Sequence, residues 1–162
     1  MRTTIACAVL AAFVAVSAAA QDAAAPAKDA ITDAAIINTC GARLSKMFAR
    51  YGQPKALWVA RGNAEDDDEV ICSYEGGYMF RVRGTEVKRC FFWKQWKGSI
   101  HGIKIGDSRE EVLKALGDPS MTFKDKDGVV TDYGYKFKDL DVKFFANFDK
   151  DGKVWRVEVS SD

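Results

Sequence analysis

Hydrophobic positions along the chain change period several times, and the changes divide it into elements. Ile36, Ile37, Cys40, Leu44, Met47, Phe48 and Tyr51 recur at spacings of three and four, which predicts one long helix with a single buried face. A second helix follows Ser108. There Val112, Leu113 and Leu116 form the apolar stripe, Ser108 and Glu111 have the spacing of a capping box, and Gly117 and Pro119 end the helix. Elsewhere the period falls to two. Val70, Cys72 and Tyr74 share one side of a strand, and the Glu75-Gly76-Gly77 turn leads to Tyr78, Phe80 and Val82. Tyr133, Tyr135 and Phe137 pass through Lys138-Asp139 to Leu140, Val142, Phe144, Ala146 and Phe148. These are the strand sides on which the helices are expected to pack.

The pattern also repeats. FARYGQPKALW (48–58) resembles LKALGDPSMTF (113–123), with Gly52 and Gly117, and Trp58 and Phe123, each 65 positions apart. Downstream, VICSY (70–74) corresponds to VVTDYGYKF (129–137), YMFRV (78–82) to LDVKFFANF (140–148), and TEVKRCFFW (85–93) to KVWRVEV (153–159). The expected fold is α+β: two tandem α-β-β-β-β repeats, 36–98 and 99–162, forming one antiparallel sheet of about eight strands with helices on one face. The alternative is coincidence between two ordinary αβ segments.

The amino terminus changes the picture of compartment. MRTTIACAVLAAFVAVSAAA has one Arg, a short apolar run and small residues before Gln21, the form of a signal peptide over 1–20. The run is shorter than a membrane span, and Cys7 precedes most of it, which argues against a lipid anchor. Ala-rich residues 21–35 read as a flexible leader. A periplasmic or secreted protein without a membrane span is expected. Loss of 1–20 removes Arg2 and no acid, so 23 basic residues face 23 acidic ones. With no basic run, neither nucleic-acid binding nor steering by net charge is expected.

Candidate chemistry lies on the strand sides turned away from the helices. Simple alternation places Ile71, Met79, Arg81, Lys88, Cys90 and Phe92 there in the first half, and Asp141, Lys143, Phe145, Trp155 and Val157 in the second. Met79, Arg81, Lys88, Phe92, Lys143, Phe145 and Trp155 are the candidate partner-binding residues, a mixture of aromatic, Met and cationic side chains typical of protein interfaces. The alternative is that strand bulges shift the register and return some of them to the core. Phe91-Phe92-Trp93-Lys94-Gln95-Trp96-Lys97 interleaves aromatics with lysines, which suits glycan or peptidoglycan stacking. It also reads as a last strand and link, with Trp93 buried and Trp96 partly exposed.

Three cysteines follow the signal segment. Alternation sets Cys72 and Cys90 on opposite faces two strands apart, beyond disulfide reach, and leaves Cys40–Cys72 as the expected pair. Asn147 to Glu158 matches the spacing of a calcium loop; its strand-like flanks favour a hairpin turn at Asp149-Lys150-Asp151-Gly152, with a calcium-binding module as the alternative. No enzyme is expected: His101 has no nucleophile motif beside it, and the Glu65–Glu69 acidic run reads as a solvated tip. No cofactor or metal is expected either.

The stretch IHGIKIGDSREEVLKALGDP (100–119) resembles that of the β-lactamase inhibitory protein and of outer-membrane assembly lipoproteins of the BamE type. The resemblance implies tandem helix-plus-four-strand units whose helix-free sheet face grips a target protein, and with it a role as an inhibitor of, or assembly factor for, an envelope protein.

Overall fold

In a computed structural model, residues 33–64, 67–137 and 140–161 are described, so the signal segment and most of the leader lie outside the described residues. Three short helices, α1 (Asp33–Ile37), α2 (Leu44–Tyr51) and α3 (Arg109–Leu116), accompany eight strands. The strands are β1 (Ala56–Ala60), β2 (Glu69–Tyr74), β3 (Tyr78–Arg83), β4 (Glu86–Trp93), β5 (Met121–Lys124), β6 (Val130–Lys136), β7 (Lys143–Phe148) and β8 (Val154–Ser160). They form one antiparallel sheet in the order β1-β2-β3-β4-β8-β7-β6-β5, two meanders joined where β4 pairs with β8. The α+β class and the eight-stranded antiparallel sheet therefore stand as expected.

The long first helix does not. It divides into α1 and α2 at Gly41, whose φ of 81° is open to glycine and costly for most side chains. The Gly41 N–H donates to the Val87 carbonyl at 2.7 Å instead of continuing a helical ladder. The apolar spacing survives the break, because Ile36, Cys40 and Met47 all still reach the core. By contrast α3 forms as its signals dictate: the Ser108 hydroxyl accepts from Glu111 N–H, and the Glu111 carboxylate accepts from Ser108 N–H. Gly52 and Gly117 end α2 and α3 in the same way, with φ of 72° and 74°. The carbonyls of these two glycines accept the Tyr74 and Tyr135 hydroxyls at 3.1 and 3.2 Å.

One side-chain row of the sheet makes the core. Cys72, Phe80, Cys90, Val159, Phe144 and Tyr135 lie in register across β2, β3, β4, β8, β7 and β6. They are buried together with Ile36, Met47 and Val112 from the helices, while Leu44, Phe48, Tyr51, Leu113 and Leu116 pack against the same cluster. Trp96 is buried and Trp93 only partly so, the reverse of the expected order. The Trp96 ring lies over Gly98, where a Cβ would come within 2.4 Å of it.

Candidate functional site

The alternate row of strand side chains does not join that core, and two bulges decide which residues it contains. In β4 the register slips between Arg81↔Arg89 and Val82↔Val87, so Lys88 is an extra residue. Beyond it Cys90 and Phe92 turn into the core, both with no exposed surface, and Arg89, Phe91 and Trp93 take the places expected for them. In β8 the slip falls between Asn147↔Arg156 and Phe148↔Val154, which makes Trp155 the extra residue. Val157 is consequently in the core, and Arg156 and Glu158 are on the alternate row.

Of the expected partner-binding residues, Met79, Arg81, Lys143 and Phe145 lie on this row and Trp155 beside it. Phe92 belongs to the core instead, and Lys88 stands in the bulge with its ammonium 2.9 Å from Glu86. Arg89, Phe91, Arg156 and Glu158 were missed by simple alternation because each follows a bulge.

The row is ordered in ranks across the sheet. Arg81, Arg89, Ser160, Lys143 and Lys136 are aligned from β3 to β6, a line dominated by cations. The next rank is Phe91, Glu158, Phe145 and Gly134, and the next Trp93, Arg156, Asn147 and Asp132. Gly134 leaves room for the Phe145 ring, since a Cβ there would lie 2.9 Å from it. From β4 to β5 the ranks and Phe123 enclose an open cleft of about 310 Å³. Its apolar wall is Phe123 and Phe145, with ring centroids 6.2 Å apart. Its polar wall is Arg89, Lys143, Arg156, Glu158, Asp132 and Asn147.

Arg156 is held on several sides. Its Nε donates to Asn147, whose amide donates to Asp132. Its guanidinium lies 4.8 Å from the Trp155 ring centre and 5.4 Å from that of Phe91, and Arg81 lies 5.2 Å from the Phe91 ring. This gives an alternating cation–aromatic stack ending at Trp155, which is 46% exposed. Glu158 sits 4.0 Å from both Arg89 and Arg156, too far for direct hydrogen bonds. Burial pushes its carboxyl above the usual glutamate range and outweighs the opposing pull of Arg89, Arg156 and Arg81. In the first half Glu69 accepts from both Arg81 and Arg83 at 3.2 Å. Lys143 makes no ion pair among the described residues.

The other candidates resolve differently. Cys40 Sγ lies 3.8 Å from Cys90 Sγ and not beside Cys72, because the Lys88 bulge turns Cys90 inward to the same face as Cys72. The calcium-loop spacing falls on the β7–β8 hairpin, where Asp149 accepts from the Asp151 and Lys153 N–H groups and Asn147 is engaged by Asp132 and Arg156. Asp125 accepts from Asp127 and Val129 in the same way, as the identical Asp-Lys-Asp-Gly at 125–128 requires. Among the described residues no group of three or more His, Cys, Asp or Glu side chains is placed to hold a metal. His101 packs on Phe137, ring centroids 4.2 Å apart.

No protein-family model matches the sequence, and no curated protein matches it. Likeness is found among solved structures. An extracellular protein containing an SCP domain, from Bacillus anthracis, superposes with a TM-score of 0.60 at 15% identity, over 78% of this chain and 45% of that one. A cysteine-rich secretory protein from Staphylococcus aureus gives 0.56 at 16% identity, over 77% and 44%. A DUF4309 family protein from Bacillus subtilis gives 0.49 at 14% identity, over 75% and 79%. The first two neighbours overturn the resemblance to the β-lactamase inhibitory protein and BamE-type lipoproteins. The motif behind that resemblance encodes a capped helix start and a Gly-Pro stop, which any fold with such a helix can use. At these identities the likeness is one of fold, and the chain spans less than half the length of the first two structures. No helix among the described residues is long and apolar enough to cross a membrane.

Proposed function

We propose that this chain is a secreted or periplasmic, non-catalytic module that binds another protein through the alternate-row face of its sheet. The observation that carries the reading is the cleft and its surroundings: a cation–aromatic stack, an apolar wall and a line of Arg and Lys side chains, all carried by the paired strands of one sheet. Strands hold such side chains at fixed spacing, so little ordering cost remains to be met on binding. Tryptophan, arginine and phenylalanine are also the side chains that contribute most at protein interfaces. The partner complementary to this line of cations brings carboxylates to it and an apolar side chain to Phe123 and Phe145.

The finer reading of the fold belongs to the same proposal. The two halves are copies of one helix-plus-four-strand unit, and their helices cover one side of the sheet, leaving the other for the partner. The matched Tyr74–Gly52 and Tyr135–Gly117 hydrogen bonds support it. The compartment rests on the form of residues 1–20.

The test is capture from an envelope and secreted-protein extract with the mature chain as bait. Phe145→Ala combined with Trp155→Ala should abolish recovery of the captured protein while the variant still unfolds cooperatively, with a melting temperature lowered less than that of Phe92→Ala. Lys46→Ala, on the exposed side of α2, should leave recovery intact. Equal recovery by all three baits sinks the assigned face.

A further inference from the structure

Two thiols meet inside the core, and the binding face uses neither. Cys40 Sγ and Cys90 Sγ are 3.8 Å apart; Cys90 has no exposed surface and Cys40 keeps 8%. The backbone holds them there. Gly41 N–H donates to Val87 at 2.7 Å, Val87 N–H to Ala42 at 2.9 Å, and Leu44 N–H to Thr85 at 2.8 Å, so the turn after α1 lies along the start of β4. The Lys88 bulge then rotates Cys90 toward that turn. The other neighbours of Cys40 Sγ are the carbonyl oxygens of Lys88 and Val159, at 3.4 and 3.3 Å. Cys72 faces the same core, but Phe80 of β3 stands between it and Cys90, which puts the two about two strand spacings, roughly 9.6 Å, apart.

We propose that Cys40 and Cys90 are joined by a disulfide as the chain folds in an oxidising compartment, and that Cys72 remains a thiol. The oxidant is a disulfide carried by a thiol–disulfide exchange protein. Cys40, the more accessible of the pair, attacks one carrier sulfur as its thiolate, forms a mixed disulfide and releases the carrier's other sulfur as a thiolate. The Cys90 thiolate then attacks Cys40 Sγ, the Cys40–Cys90 bond forms, and the first carrier sulfur leaves. Two electrons have passed to the carrier, and its two thiolates take up the two protons given up by Cys40 and Cys90. Burial holds the Cys90 thiol well above the ordinary range, so the second attack is rapid only while this part of the core is open. The bond consequently forms while the chain folds, before this part of the core closes, and is kept in the finished molecule. It closes a loop of 50 residues that contains β1, β2 and β3, and so ties the first meander to the helical turn.

The chain is isolated from its own compartment, blocked with iodoacetamide under denaturing conditions before any reductant is added, and digested with trypsin. The expected product joins the peptide of residues 29–43 to that of residues 90–94, separates on reduction with a gain of two hydrogens, and is accompanied by carbamidomethylated Cys72. Carbamidomethyl groups on both Cys40 and Cys90, in that sample and after refolding with oxidised glutathione, overturn the proposal. A linked peptide containing Cys72 does the same. As a second readout, wild type and Cys72→Ser refolded with reductant should melt lower than when refolded with oxidised glutathione. Cys40→Ser and Cys90→Ser should melt alike under both conditions, and a wild-type midpoint that also does not move argues against the bond. If either serine variant fails to fold, the peptide map decides alone.

Discussion

Glu158 carries the electrostatics of the cleft. It is a mostly buried carboxyl facing Arg89 on β4, Arg156 on its own strand and Lys143 and Asp132 across the cleft, and burial raises its pKa despite the guanidiniums. A carboxyl whose folded pKa lies above its unfolded value contributes stability that is complete below about 4.3, the ordinary glutamate value, and is lost as pH rises through the folded one. Glu158→Gln cannot titrate. Its melting temperature relative to wild type should therefore climb as pH rises from acid to neutral, and a difference that stays flat with pH would remove burial as the governing effect. A second residue-scale expectation concerns α3. Ser108→Ala removes one half of the capping box and should cost about 1 kcal/mol in urea unfolding.

At the scale of elements, the two bulges carry the most consequence. The strands themselves were legible: β-branched and aromatic residues at period two mark β2, β3, β6, β7 and β8, and Gly-x-Pro marks the ends of α2 and α3. The capping box of α3 was legible too, because it depends on two side chains at fixed spacing. Lys88 and Trp155 were not, since an extra residue in a strand leaves no signature in composition or periodicity when both parities are apolar, as in Cys90-Phe91-Phe92-Trp93. Four residues of the alternate row, three of them lining the cleft, were lost to that ambiguity, and the closeness of Cys40 to Cys90 with them. Energetics separates the two registers. Phe92→Ala should lower unfolding free energy by about 3–5 kcal/mol, as for a buried aromatic, while Phe145→Ala, half-buried beside the cleft, should cost clearly less. Equal losses in denaturant unfolding would contradict the assigned rows.

Across the whole molecule, the central pairing of β4 with β8 brings together what the sequence keeps far apart. Arg81 and Arg89 come from the first meander, Lys136, Lys143 and Ser160 from the second, and only their alignment across the join makes a line of positive charge on a chain with no net charge to speak of. Such a field is local. At 0.1 M salt charges are screened beyond about 10 Å, so attraction acts near contact and not over long range. Capture of the partner should then weaken as salt is raised, through a slower association more than a faster release. Lys143→Glu, which puts an acid into the middle of the line, should weaken capture by about tenfold or more at low salt and much less at high salt, following the same screening. Lys46→Glu changes net charge by the same amount from the exposed side of α2 and should have little effect. If the two reversals weaken capture equally, net charge rather than the line across β4 and β8 governs recognition, and the partner need carry no matching row of carboxylates.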